Sequence, residues 1–109
     1  MTAPVSPPAD LWPVLMRSAE IIGMKEAEDL SGRDGRTIRR WCVEYRIGHQ
    51  STAGAPWEIS APAVVMVRHG DFEGLELLRA GDRSHPRVLR VLDFLSIPTN
   101  AENALSDVN

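Results

Sequence analysis

Between Ser31 and Gln50 stand five arginines, Arg33, Arg36, Arg39, Arg40 and Arg46, against only two carboxylates, Asp34 and Glu44. Arg33, Arg36, Thr37, Arg40 and Glu44 follow one another at offsets 0, 3, 4, 7 and 11, the spacing that lines side chains along one face of a helix. Ile38, Trp41, Cys42 and Tyr45 repeat at i, i+3, i+4 and i+7 and define the opposite, apolar face. An arginine fork can grip a guanine edge at two points or clamp a phosphate, and a threonine hydroxyl can donate to a phosphate. Amides at the helix start, Asp34 to Thr37, would add a further anion site. This is the chemistry of polyanion recognition; on composition alone, the same arginines could form a merely solvated face.

Elsewhere the sequence holds no set of residues spaced for catalysis or for a metal. His49, His69 and His85 have no ligand spacing with one another or with Cys42. Asp82-Arg83-Ser84-His85 contains the types of a hydrolytic triad, but adjacency in sequence is not triad geometry and no nucleophile elbow surrounds Ser84, which reads as a helix cap. Gly32 and Gly35 lack the lysine and spacing of a phosphate loop. No enzyme, no cofactor and no metal site is expected.

The elements that must position the arginines can be read around them. Asp10-Leu11-Trp12-Pro13 predicts a short helix with Leu11, Val14 and Leu15 on one face, and Ile21-Ile22 an extended pair ending at Gly23. Met24 to Leu30 predicts a helix ending near Ser31-Gly32, and Asp34 caps the basic helix, which Gly48 stops. Only Ser31 to Arg33 separate the two, the turn length of a helix-turn-helix. Arg46 to His49 and Pro56 to Ile59 flank the small polar stretch Gln50 to Ala55 and predict a hairpin. Pro62 to Gly70, Asp71 to Gly81 and Ser84 onward predict three more helices, the last with Val88, Leu89, Leu92 and Leu95 as its stripe. The fold class expected is mainly α with a small β-hairpin wing: a winged helix-turn-helix plus C-terminal helices.

Lys25-Glu26-Ala27 through Leu30, then Arg36-Thr37-Ile38-Arg39-Arg40-Trp41, Ile47-Gly48 and Pro56-Trp57-Glu58-Ile59, resemble the pattern of excisionase-like and MerR-like winged helix-turn-helix proteins over residues 20–68. The resemblance implies a bacterial or phage protein that binds specific sites on double-stranded DNA, as a recombination directionality factor or a small transcription regulator, with Arg33 to Arg46 as its recognition helix. Arg36 and Arg40 would read bases; Thr37, Arg39 and Arg46 would hold phosphates, and Arg33, at the turn, suits either role. The wing tip is neutral here, so its contacts would rest on His49, Gln50 and Ser51. MerR proper continues into a long coiled-coil helix for which this chain has neither length nor heptads, so ligand sensing is not expected. Other readings of the same module are a protein-binding anti-activator or adaptor and the small DNA-recognition subunit of a phage packaging enzyme.

The whole chain bounds these readings. Its 109 residues, 43% apolar and 25% charged, suit one ordinary globular fold. A single cysteine excludes an intramolecular disulfide framework. No apolar run approaches the roughly 20 residues of a membrane span, and Met1 to Asp10 has no signal-peptide pattern, so residence in the cytoplasm, at a bacterial nucleoid, is expected. The net charge of −3 hides a positive island between acidic ends. The organisation expected is a flexible arm (1–10), a DNA-binding domain (11–70), a C-terminal helical extension (71–97) suited either to oligomerisation or to covering the module's own core, and a flexible tail (98–109). One recognition helix covers little DNA, so cooperative assembly of copies, and an integrase or polymerase partner, are implied.

Overall fold

The computed structural model describes residues 12–97; the expectations for residues 1–10 and 98–109 lie outside them. Among the described residues, five α-helices and a small three-stranded antiparallel sheet share one core. Helix α1 (Met24–Ser31) ends where Gly32 turns left-handed at φ 71°, a conformation that costs glycine nothing. After Gly32, Arg33 and Asp34 comes α2 (Gly35–Tyr45), capped by Asp34, whose carboxylate accepts the Thr37 amide at 2.9 Å. The turn therefore begins one residue later than the sequence predicted, because Ser31 closes α1 from inside.

Strand β1 (Ile21–Ile22) pairs with β3 (Trp57–Ser60) on one side and β2 (Gly48–Gln50) pairs with it on the other, so the order is β1-β3-β2. The predicted hairpin is there, and the Ile21-Ile22 pair joins it as a third strand. Ser60 then caps α3 (Ala61–Arg68), its hydroxyl accepting the Ala63 amide at 3.2 Å. Residues 61–67 are all buried, so α3 is the central rod of the molecule. Helix α4 (Phe72–Arg79) starts at an Asp71 cap and α5 (Pro86–Phe94) follows. Leu75, Leu78, Val88 and Leu92 of these two helices meet Ala27, Ile38, Cys42, Ile47, Ile59 and Met66 in the same cluster. Residues on both sides of Gly70 thus fill one core.

Three local expectations are corrected. Residues 12–17 form no helix: the segment runs as a strap, with the Val14 amide donating to Arg46 O at 2.9 Å and Val14 buried. Pro13 supplies no amide, and the strap's carbonyls are taken from outside, Trp12 O by Arg79 and Leu15 O by Arg83. Gly48 does not stop α2; Arg46 does, in the left-handed region at φ 57°. Gly48 is small for another reason, since a Cβ there would stand 2.7 Å from Cys42 Sγ and 3.1 Å from Glu58 O. Ser84 is not the cap of α5: its amide and hydroxyl both donate to Asp82, while His85 Nδ1 accepts the Arg87 amide at 3.1 Å.

Candidate nucleic-acid interface

Helix α2 buries Ile38, Trp41 and Cys42 and half-buries Tyr45, as the spacing requires. The thiol of Cys42 is pushed up to about 11 by that burial and is inert as a nucleophile at neutral pH. Its opposite face is open, with Arg36, Arg39, Arg40, Val43 and Glu44 exposed. Arginines of the C-terminal half hold this helix and its neighbour in place. Arg68 Nε donates to Ser31 O, the last carbonyl of α1, at 2.7 Å, and Arg79 Nη2 to Tyr45 O, the last of α2, at 2.9 Å. Cations at these two carboxyl ends satisfy carbonyls that no amide reaches and complement both helix dipoles.

Two sets of arginines stand apart. Arg79, Arg83 and Arg87 are each paired with a carboxylate within 4.0 Å. Among the described residues, none of Arg33, Arg36, Arg39, Arg40 and Arg46 has such a partner, although Asp34 and Glu44 are their neighbours in sequence. The Asp34 carboxyl is held below the usual carboxylate range chiefly by the Thr37 amide and hydroxyl, with Arg36 and Arg39 adding Coulomb attraction. Four of the five arginines lie on α2 or in its entry turn. The fifth, Arg46, stands at its exit in a backbone conformation that disfavours any side chain.

The predicted anion site at the start of α2 is already filled. Asp34 takes the Thr37 amide, and Glu28 of α1 lies close by: a Cβ on Gly35 would stand 2.7 Å from its Oε2. Two carboxylates at the first turn would repel a phosphate placed there, and the Thr37 hydroxyl is turned to Asp34, which is the local-cap reading of that residue.

At the wing, Gln50 Nε2 donates to Ala55 O at 2.8 Å and so ties the loop shut, and His49 Nε2 faces Glu58 Oε1 across the strands at 3.8 Å. Ser51 is exposed at the tip. The structure thus brings Arg36, Arg39 and Arg40 onto one face, sets Arg33 and Arg46 at its two ends, and gives Thr37 and Gln50 structural partners. The sequence reading passed over Val43. It is 72% exposed and lies two turns after Arg36, with Arg39 and Arg40 four and three residues before it. Its signal was present in the sequence, since Val43 is out of step with the apolar stripe of Ile38, Trp41, Cys42 and Tyr45.

Among the described residues no His, Cys, Asp and Glu group is gathered that could hold a metal ion, and no helix is long and apolar enough to cross a membrane. Comparison of the chain with protein-family models, with curated proteins and with solved structures finds no match.

Proposed function

We propose that this chain is a sequence-specific double-stranded-DNA-binding protein of the excisionase type, built as a winged helix-turn-helix in which α1 and the turn present α2 to the major groove. It serves as an architectural factor in site-specific recombination or as a transcription regulator, in the cytoplasm and on the nucleoid of a bacterium. The observation that carries this reading is the separation of two sets of arginines: Arg68, Arg79, Arg83 and Arg87 are held by carboxylates or carbonyls of the fold, and those of and around α2 are exposed without acidic partners among the described residues. Exposed guanidinium groups without acidic partners make a positive surface that attracts a polyanion.

The competing reading, an adaptor that binds protein, expects that basic face to be neutralised by the chain's own Asp34 and Glu44, and the separation of the arginines disfavours it. In the DNA reading, Arg36 and Arg40 contact base edges and Arg33, Arg39 and Arg46 hold phosphates. The wing contributes Ser51 and the rim of His49 more than Gln50. Neighbouring copies, or an integrase or polymerase, supply the rest of the specificity. Phe72 and Phe94, exposed beside a groove between α3, α4 and α5, offer apolar surface for such contacts.

The test is retention of random duplex DNA by the purified protein at two salt concentrations, with the retained fraction sequenced. An enriched motif, and affinity falling steeply with salt, is expected. No retention at low salt would overturn the reading and favour a protein partner.

A further inference from the structure

We propose that Val43 is a specificity-determining residue of the α2 face that packs on the 5-methyl group of a thymine in the target duplex. The inference rests on the DNA reading above and names part of the sequence that α2 selects.

Val43 is the one apolar side chain in the middle of the exposed face of α2, with Arg36 on the same bearing two turns before it and Arg39 and Arg40 flanking it from the preceding turn. Its exposure of 72% is the second highest among the large exposed apolar residues and the only one of them on α2. Nothing in the fold asks for valine there. It is no part of the core, and a β-branched residue on an exposed helical surface is a poorer helix former than alanine, lysine or glutamate.

In the major groove the four base pairs differ in their donors and acceptors and in one apolar feature, the thymine methyl. Arg36 and Arg40 offer only donors, and Glu44, exposed one residue on, offers only acceptors. These groups address guanine and the amino groups of cytosine or adenine. The face therefore carries one group of each kind, with Val43 as the apolar reader between them. Helix geometry sets the order: a base read by Val43 lies two helical turns, about 10 to 11 Å, along α2 from the one read by Arg36.

The test uses the full chain and a preferred duplex from the selection described above. Each thymine in turn is replaced by deoxyuridine, which removes the methyl group and leaves every hydrogen-bonding group intact. One replacement is expected to weaken wild-type binding about fourfold, the worth of one methyl taken out of water. The same replacement should leave Val43→Ala unchanged, since the partner is already gone. Val43→Thr, which keeps one methyl, should keep part of the sensitivity. Circular dichroism of Val43→Ala, at an exposed position where alanine favours the helix, confirms that the variant is folded. A wild type that selects a motif but is indifferent to every deoxyuridine overturns the assignment of Val43 and leaves the DNA reading standing. Equal sensitivity in wild type and Val43→Ala does the same. A chain that retains no duplex, or retains duplexes without sequence preference, removes the basis of both.

Discussion

Arg83 grips Glu20 with two parallel hydrogen bonds, Nε to Oε2 and Nη2 to Oε1, each 2.7 Å, joining the loop before α5 to the turn before β1 across 63 residues of chain. The Glu20 side chain is only 2% exposed, and its Oε1 also accepts the Arg17 amide at 3.1 Å. The pairing holds the Arg83 guanidinium above its ordinary value, with the Glu20 hydrogen bonds as the main cause. Because Arg83 Nη2 reaches Leu15 O as well, the strap that leads into the sheet is fastened by this one side chain.

Removing one partner leaves a buried charge uncompensated. Arg83→Ala is expected to cost about 3–5 kcal/mol, a large part of the stability of a domain this size. Replacing both partners together, Glu20→Leu with Arg83→Met, should recover most of it. Urea unfolding of the three variants checks this; a double variant no more stable than Arg83→Ala would show that the pair does more than satisfy itself.

On the arginine face, Arg36→Ala and Arg40→Ala should each cost about 1–3 kcal/mol on the preferred duplex and relax the preference at one base pair. Arg39→Ala should weaken all duplexes alike and lower the salt slope by about 1. Sequencing of retained duplexes for each variant, with titrations at several salt concentrations, separates the two kinds of loss. An unchanged sequence profile in Arg40→Ala would sink its base-reading role.

At the end of α2, Arg46 occupies a left-handed position that glycine fills best. Arg46→Gly is therefore expected to be more stable than Arg46→Ala by about 1 kcal/mol, while both lose the same duplex affinity. Chemical denaturation gives the first quantity and anisotropy titration the second. Equal stability of the two variants would mean that the backbone relaxes when the arginine is removed.

Gly48 sits where β2 passes closest to α2. A Cβ there would stand 2.7 Å from Cys42 Sγ, 3.0 Å from Ile59 Cγ1 and 3.1 Å from the Glu58 carbonyl. Gly48→Ala should cost about 1–3 kcal/mol by overpacking. Adding Cys42→Ala should return only part, because the Glu58 backbone cannot yield. Thermal melts of the single and double variants test the order.

Asp34 supplies a pH signature. Its carboxyl is held below its ordinary value by the Thr37 amide and hydroxyl, so its cap stabilises the fold above the ordinary carboxylate range and is lost as pH falls through the lowered value. The gap in melting temperature between wild type and Asp34→Ala should be full at neutral pH and shrink in acid. Asp34→Asn, which keeps the cap without the charge, should track wild type at neutral pH with no such dependence at this position. A gap that stays constant down to the acid limit would contradict the role of the ionised carboxylate.

The sequence by itself determined the elements whose causes are short-range. The capping aspartates Asp34 and Asp71, the i, i+3, i+4, i+7 stripe from Ile38 to Tyr45, and the polar stretch between two strand-like runs act within a few residues and could be read along the chain. They placed α1 to α5 and the hairpin, and with them the basic helix. Only the tertiary structure decided what the residues at those positions are free to do. The segment after Trp12 has a helix-like pattern, yet it is a strap because Arg79 and Arg83 take its carbonyls from 67 and 68 residues away. Gly48 reads as a helix stop and is instead a close contact with Cys42. Thr37 and Arg40 belong to one stripe in the sequence, but in the fold one is bound to Asp34 and the other is free. An arginine carries the same charge wherever it is written. Whether that charge is available depends on which carboxylates and carbonyls the fold brings within reach, and those come from parts of the chain that local pattern cannot connect.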